Sequence, residues 1–166
     1  MYKRISIFFA VALVAATTGC SAVRFTGDLS PLRGQKEVNV VIEFAHRFDI
    51  SEEEFNRVHR LAFQGLTNQL TLRNNQGFTM DDFPNAEYTI HVKVLEVIGG
   101  GWDDSNRGAT IHSEVSILKK GDTTPLSIVR KLVSPGAQTR DPELRIANPF
   151  IHLGSYIGYE ISRKLK

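Results

Sequence analysis

Two neighbouring segments of alternating hydrophobicity constrain the fold of this chain more than any other feature. Apolar side chains recur at every second residue in Tyr88–Val97, and the pattern returns in Thr110–Leu118. A period of two is typical of a β-strand with one buried face. Folding the two segments about the centre of the loop at 99–108 pairs Ile90 with Ile117. The sequence therefore predicts an antiparallel hairpin with a defined register.

This register sorts the side chains of the hairpin by face. It places Val92 opposite Val115 on an apolar face and Lys93 opposite Glu114 on a polar face. Like-for-like apolar pairs and opposite-charge pairs are the cross-strand arrangements that stabilise sheets. The polar face is expected to carry His91, Lys93, His112, Glu114 and Lys131.

Further elements follow from the same periodicities and from caps. We predict a strand at 38–44, a helix from 51 to about 72, a short edge strand at 77–80 and a strand at 126–133. Ser51 and Glu54 have the spacing of a capping box, in which each side chain bonds the other residue's backbone N–H.

A second helix is predicted after Asn148, which is a favourable cap residue, with Pro149 in the first turn. Gly154 and Gly158 lie one turn apart and would allow close packing on the sheet. The segment at 134–147 is expected to be a long irregular connection. The apolar stripe of the helix comprises Phe150, Leu153, Ile157, Ile161 and Leu165.

The order of these elements predicts an α+β fold. We expect a single mixed, mostly antiparallel sheet of four to five strands with two helices packed on one face. Residues 37–166 would form this single domain, and residues 20–36, which contain Gly27, Pro31 and Gly34, would form a tether.

The first 19 residues have the pattern of an export signal. Lys3 and Arg4 precede an apolar run at 5–16, which is too short for a good membrane span. The run ends at Thr17-Thr18-Gly19-Cys20, which resembles a bacterial lipoprotein signal, although Thr17 stands where such signals usually have Leu. An ordinary signal peptide cut nearby and an uncleaved anchor are the alternatives.

The lipoprotein resemblance implies that membrane lipid is attached to the sulfur of Cys20, the only cysteine. A chain with one cysteine forms no internal disulfide. Several acyl chains together give stable anchoring. By the same resemblance, Ser21 favours the outer membrane, on its periplasmic face; an inner-membrane lipoprotein and a secreted protein are the alternatives.

Net charge argues against a nucleic-acid partner. The chain has 20 Lys plus Arg and 18 Asp plus Glu, and the predicted signal contains Lys3 and Arg4. The charges of the mature part therefore balance, and no strong positive field remains to attract nucleic acid.

The arrangement of elements resembles a group of small bacterial envelope lipoproteins. In that group a lipidated cysteine precedes a strand, a helix, a passage of the form GF…AEY-x-I-x-V-x-V and a glycine-rich loop. The passage here runs from Gly77-Phe78 through Ala86–Val94, and the loop is Gly99–Trp102. The resemblance implies an accessory role in the assembly of envelope machinery.

Residues for catalysis or for a cofactor do not form a recognisable pattern. The histidines lack the tight spacing of zinc ligands, and the loop at 103–108 departs from a calcium loop at Arg107. There is no Gly-x-Ser-x-Gly elbow and no phosphate loop. We therefore predict no metal, no cofactor and no enzymatic activity.

The candidate binding residues are Trp102, Leu95 and Val129, which are expected to form an exposed apolar patch. The sequence thus predicts a non-catalytic binding or scaffold module for an envelope protein complex. A carrier or sensor of a small hydrophobic or saccharide ligand is the alternative, and an envelope hydrolase is a third. The partner and the oligomeric state are not determined by the sequence.

Overall fold

The structure is a computed structural model that describes residues 24–46, 50–74, 76–98, 109–136 and 139–166. Cys20 and Trp102 lie outside the described residues. The elements are β1 (Thr26–Gly27), a 3₁₀ turn (Ser30–Leu32), β2 (Glu37–Phe44), α1 (Glu52–Arg73), β3 (Thr79–Asp81), β4 (Tyr88–Ile98), β5 (Thr110–Lys119), β6 (Ser127–Pro135) and α2 (Pro142–Lys164).

The described strands form one sheet in the order β1-β6-β5-β4-β2-β3. β2 is parallel to β3 and β4, whereas the β4–β5, β5–β6 and β6–β1 pairs are antiparallel. The mixed, mostly antiparallel α+β sheet is confirmed. The predicted number of four to five strands is wrong, because the two-residue strand β1 adds a sixth among the described residues. With only two residues, β1 is too short to show the alternation of apolar and polar residues that identifies the other strands.

The hairpin register is confirmed for its inner part. Ile90 lies opposite Ile117, and Lys93 lies opposite Glu114. Beyond Val94 a β-bulge shifts the register by one residue, so that His112 faces Glu96. Strict alternation places Leu95 opposite His112 instead, because it does not anticipate the extra residue.

Both helices pack on one face of the sheet, as predicted. The core contains inward side chains of five strands together with the apolar stripes of the helices; the strand residues include Val40, Met80, Ile90, Val115 and Leu132. Every residue of the predicted stripe on α2 is buried. In the described part of the chain, neither helix is long and apolar enough to cross a membrane.

The predicted start of α2 is wrong. Asp141 caps the helix by accepting hydrogen bonds from the N–H groups of Glu143 and Leu144, at 2.9 and 3.3 Å, and Pro142 occupies the first turn. Pro149 lies inside the helix. The carbonyl of Pro149 accepts a 2.7 Å hydrogen bond from the hydroxyl of Ser134. Much of the segment predicted to be irregular is therefore helical.

The two glycines of α2 do allow close packing, but against α1 rather than the sheet. A Cβ on Gly154 would lie 2.4 Å from the carbonyl oxygen of Leu66. A Cβ on Gly158 would lie 2.8 Å from the Cβ of Arg73. Because Gly154 meets the middle of α1 and Gly158 meets its end, the two helices run parallel.

The described part of the predicted tether packs against the domain. Phe25, Leu29 and Leu32 belong to the core, and β1 pairs with β6. The ammonium group of Lys164 donates hydrogen bonds to the carbonyl oxygens of Phe25 and Gly27. Residues 24–36 are thus a structural part of the domain, which differs from the prediction that the domain begins at residue 37.

Candidate binding surface

Side chains of several strands converge on the sheet face opposite the helices. Its outward residues include Val41 on β2, Ile98 on β4 and Val133 on β6, all of which are exposed. None of the described elements packs over them. An exposed sheet face with apolar side chains is a candidate for binding.

Ion pairs run across the middle of this face. The carboxylate of Glu43 on β2 lies 3.0 Å from His91 Nε2 and 3.4 Å from Lys93 Nζ. On the neighbouring strands, Glu114 lies 3.6 Å from the guanidinium of Arg130. Exposed pairs of this kind contribute little to stability. They make the centre of the face polar, so a partner would find its apolar contacts near the ends of the strands.

We call the end of this face at which β4 ends and β5 begins the upper end. It combines apolar and polar groups. His112 Nδ1 lies 3.1 Å from the carboxylate of Glu96, and Val133 is the neighbour of His112 on β6. Ile98 lies next to this pair on β4. We call Leu95, Glu96, Ile98, His112 and Val133 the upper patch. It borders the loop at 99–108, which lies outside the described residues.

Val129 does not belong to this surface. Its side chain is only 8% exposed and is part of the core. A second bulge lies between the β5–β6 pairs Ser113–Leu132 and Val115–Val129. It places Val129 and Leu132 on the same, inward face although they are three residues apart. The prediction that Val129 is exposed is wrong for this reason.

Leu95 is exposed, and Trp102 falls outside the described residues. Leu95 lies at the bulge of β4 and lines a hollow of about 190 Å³ with His46, Val94, Glu96 and Val97. Sequence reasoning missed Ile98 and Val133 as exposed apolar residues. Strict alternation places Val133 on the same face as Lys131, whereas Ile98 could be identified only if the β4 bulge had been recognised.

A second hollow, of about 360 Å³, lies along the outer edge of β2. β3 pairs with β2 only at Glu37–Asn39, and beyond Asn39 this edge is paired with no described strand. His59 Nε2 lies 3.3 Å from the carbonyl oxygen of Ile42. The hollow is lined by Val40, Val41, Ile42, His59, Arg60, Phe63 and Asp82.

Two of the described histidines each pair with one carboxylate. His91 contacts Glu43 and His112 contacts Glu96. Within the described ranges, no group of three or more His, Cys, Asp or Glu side chains has the geometry to hold a metal ion. The surface therefore offers hydrogen bonds, charge and apolar contact as its means of recognition.

No protein-family model matches this chain, and no curated protein matches its sequence. Among solved structures, a PelC variant dodecamer from Paraburkholderia phytofirmans is similar, with a TM-score of 0.48 and 13% identity over 80% of this chain and 94% of that one. A second PelC dodecamer from the same organism gives a TM-score of 0.47 and 12% identity over the same shares.

A neuraminyllactose-binding hemagglutinin homolog from Helicobacter pylori is similar at a TM-score of 0.32 and 13% identity, over 86% of this chain and 89% of that one. At these TM-scores and identities the similarities support no conclusion about function. The candidate surface rests on its own geometry.

Proposed function

We propose that this protein is a lipid-anchored, non-catalytic binding module of the bacterial envelope that holds a protein partner on the uncovered face of its sheet. The observation that carries the proposal is the upper patch, where the exposed side chains of Ile98 and Val133 flank the Glu96–His112 pair. Exposed apolar side chains that lie together with polar groups support an interaction site for another protein.

The proposal is tested by substituting the upper patch and a matched site elsewhere. Val133 is 48% exposed on β6, and Leu144 is 47% exposed on α2. We expect Val133→Glu to abolish the capture of a crosslinked partner from intact bacteria, because it places a charge in the patch. Leu144→Glu should leave capture unchanged. Equal loss in both variants, or in neither, would contradict the proposal.

The anchor is a separate part of the proposal. The lipoprotein-like signal supports attachment of lipid to Cys20 and location at the periplasmic face of the outer membrane. Mass spectrometry of the protein purified from the native bacterium should find a diacylglyceryl group on the mature protein. A Cys20→Ala variant should lack it and leave the membrane fraction. A mature protein without lipid would overturn this part.

A carrier for a small ligand is the second candidate function. The hollow along β2 favours it, because about 360 Å³ falls within the range of ligand sites and Phe63 offers an aromatic wall. Native mass spectrometry of the purified domain should then detect a bound small molecule. A Phe63→Ala variant should lose the ligand, whereas Val133→Glu should keep it. Retention by Phe63→Ala would exclude this hollow as the ligand site.

A further inference from the structure

The chain approaches the domain at a defined place. Arg24, the first described residue, follows Cys20 by four positions. Phe25 is already buried, and its carbonyl oxygen accepts a hydrogen bond from Lys164 near the end of α2. At a fully extended length of about 3.5 Å per residue, four residues span at most about 14 Å. A lipid on Cys20 would therefore keep this corner of the domain close to the bilayer.

This corner belongs to the lower end of the domain, where β2, β3 and β4 begin and both helices end. The hydroxyl of Ser162 on α2 donates a 2.7 Å hydrogen bond to the carbonyl of Arg73, the last residue of α1. Thr79, the first residue of β3, lies opposite Glu37, the first residue of β2. Basic residues at this end include Arg33, Lys36, Arg73, Lys119, Lys120, Arg163, Lys164 and Lys166.

Two large side chains stand out beside the helix ends. Leu72 is 70% exposed and Tyr159 is 66% exposed, more than any other large hydrophobic residue among those described. Together with Arg73, Arg163 and Lys166 they surround a hollow of about 190 Å³. We call these five residues the basal patch. An apolar chain, a tyrosine and basic groups side by side suit the boundary between lipid headgroups and acyl chains.

The positive charge of the basal patch is only partly neutralised. Arg163 donates to the carboxylate of Glu160 at 2.7 and 2.8 Å, which raises the pKa of Arg163 and offsets its charge. Among the described residues, no ion pair involves Arg73 or Lys166. These two cations are therefore available to an anionic headgroup.

The opposite end of the helix layer contains a cluster of acidic residues, of which Glu54 and Glu143 pair with Arg57. The first turn of α1 contains Glu52, Glu53 and Glu54, and α2 starts with Asp141 and Glu143. An anionic surface would repel that end and attract the basal patch. Electrostatics and the point of attachment thus favour the same orientation.

We infer that the basal patch is a docking surface for an anionic phospholipid bilayer, and that it holds the domain with its helix ends on the membrane and its upper patch away from it. The inference rests on the proposed lipid anchor at Cys20. The adjacent exposed pair Leu72 and Tyr159 would insert between headgroups, while Arg73 and Lys166 contact phosphate.

The test compares nitroxide labels on one helix of the lipidated protein. Leu72→Cys carries a label within the patch, and Asn56→Cys carries one about 24 Å away at 1.5 Å per residue. Accessibility to a water-soluble nickel chelate is measured on vesicles of phosphatidylcholine with phosphatidylglycerol and of phosphatidylcholine alone. We expect the Leu72 label to be several-fold less accessible than the Asn56 label, and only with phosphatidylglycerol present.

A charge variant and its control make the test specific. Each basic group near an anionic surface contributes about 1 kcal/mol, or roughly five-fold in binding. The pair Arg73→Gln and Lys166→Gln should therefore reduce the docked fraction relative to the undocked one by roughly 25-fold. The pair Arg60→Gln and Arg140→Gln, with the same change of net charge, should have little effect. Equal accessibility of the two labels, or equal effects of the two pairs, would overturn the inference.

A second arm separates this inference from the anchor. The Cys20→Ser domain with a diacyl lipid attached chemically to its N-terminal amine undergoes the same measurement. If the native protein carries no lipid but this form docks through the patch, the anchor fails and the docking surface stands. If the native protein carries lipid but both labels are equally exposed, the docking surface fails and the anchor stands.

Discussion

At the scale of single residues, glycines set the distance between the two helices. Gly154 faces the carbonyl of Leu66, and no side chain larger than hydrogen fits between them without movement. The sequence predicted close approach from the spacing of Gly154 and Gly158. It did not predict that α1 is the neighbour, because a glycine pair is compatible with a sheet or a helix on the other side.

This packing is tested by whether Gly154→Ala raises or lowers the free energy of unfolding. Alanine is favoured over glycine by about 1 kcal/mol in a helix without tertiary contacts. Its Cβ would lie 2.4 Å from the Leu66 oxygen, and overpacking costs about 1–3 kcal/mol. We expect the free energy of unfolding, measured with denaturant, to fall. His152→Ala on the exposed side of α2 should change it little, and a stabilised Gly154→Ala protein would refute the close contact.

Tyr88 should make the stability depend on alkaline pH. Burial is the main cause that raises the pKa of its phenol above the usual 10.0. The unfolded chain loses this proton at about pH 10, before the folded state does. The stabilisation is thus fully present below pH about 10 and is lost as pH rises through the folded pKa.

The matching experiment is denaturant unfolding over a series of alkaline pH values. Tyr88→Phe should remove part of the alkaline fall in the free energy of unfolding. Tyr159→Phe should not, since Tyr159 is exposed. Identical alkaline profiles for the native protein and Tyr88→Phe would show that this phenol is not responsible.

At the scale of elements, two Asx-Pro pairs in the sequence have the pattern of a helix start near the second helix. Asn148-Pro149 and Asp141-Pro142 both have a cap residue followed by proline. The earlier pair is the true start, as the Asp141 hydrogen bonds show. Local sequence could not decide because proline inside a helix is costly in isolation. The burial of Ile146 and Ala147 with the rest of α2 stabilises the longer helix.

The cap assignment predicts different effects at the two positions. Asp141→Ala should lower the free energy of unfolding by about 1 kcal/mol, because two backbone N–H groups lose their acceptor. Asn148→Ala, inside the helix, should change it by less than about 0.5 kcal/mol. Thermal and denaturant unfolding of both variants would measure this. A reversed order would indicate that the helix begins at the second pair.

Bulges explain why the candidate site was harder to predict than the strands. The alternation located β4, β5 and β6 closely, and it ordered the inner part of the hairpin. One extra residue on β4 displaced Leu95 and Glu96, and one on β6 turned Val129 inward. A single inserted residue exchanges the faces of all the residues that follow it. Exposure at the strand ends therefore could not be read from periodicity.

At the scale of the whole molecule, the N-terminal segment closes one edge of the core. Phe25, Leu29 and Leu32 belong to the core, although the glycines and proline around them are typical of a linker. The proposed lipid anchor at Cys20 would therefore be joined to the domain by a short connection, which would limit how far the domain moves from the bilayer.

Leu32→Ala measures the contribution of this segment. Leu32 is fully buried, so its truncation should cost about 2–5 kcal/mol of unfolding free energy. Leu72→Ala is the matched control, because the same side chain is lost from an exposed site and should change stability little in the absence of lipid. A small effect of Leu32→Ala would mean that the segment is a tether after all.

The sequence by itself determined the fold class, the inner register of the hairpin, the cap of α1 at Ser51 and the buried stripe of α2, because each depends on a local period or a local hydrogen bond. Tertiary structure decided which surfaces meet. It placed α1 against Gly154, buried Leu32 in the core and turned the side chain of Val129 inward. These depend on contacts between residues distant in sequence, whose free energy outweighs local preference.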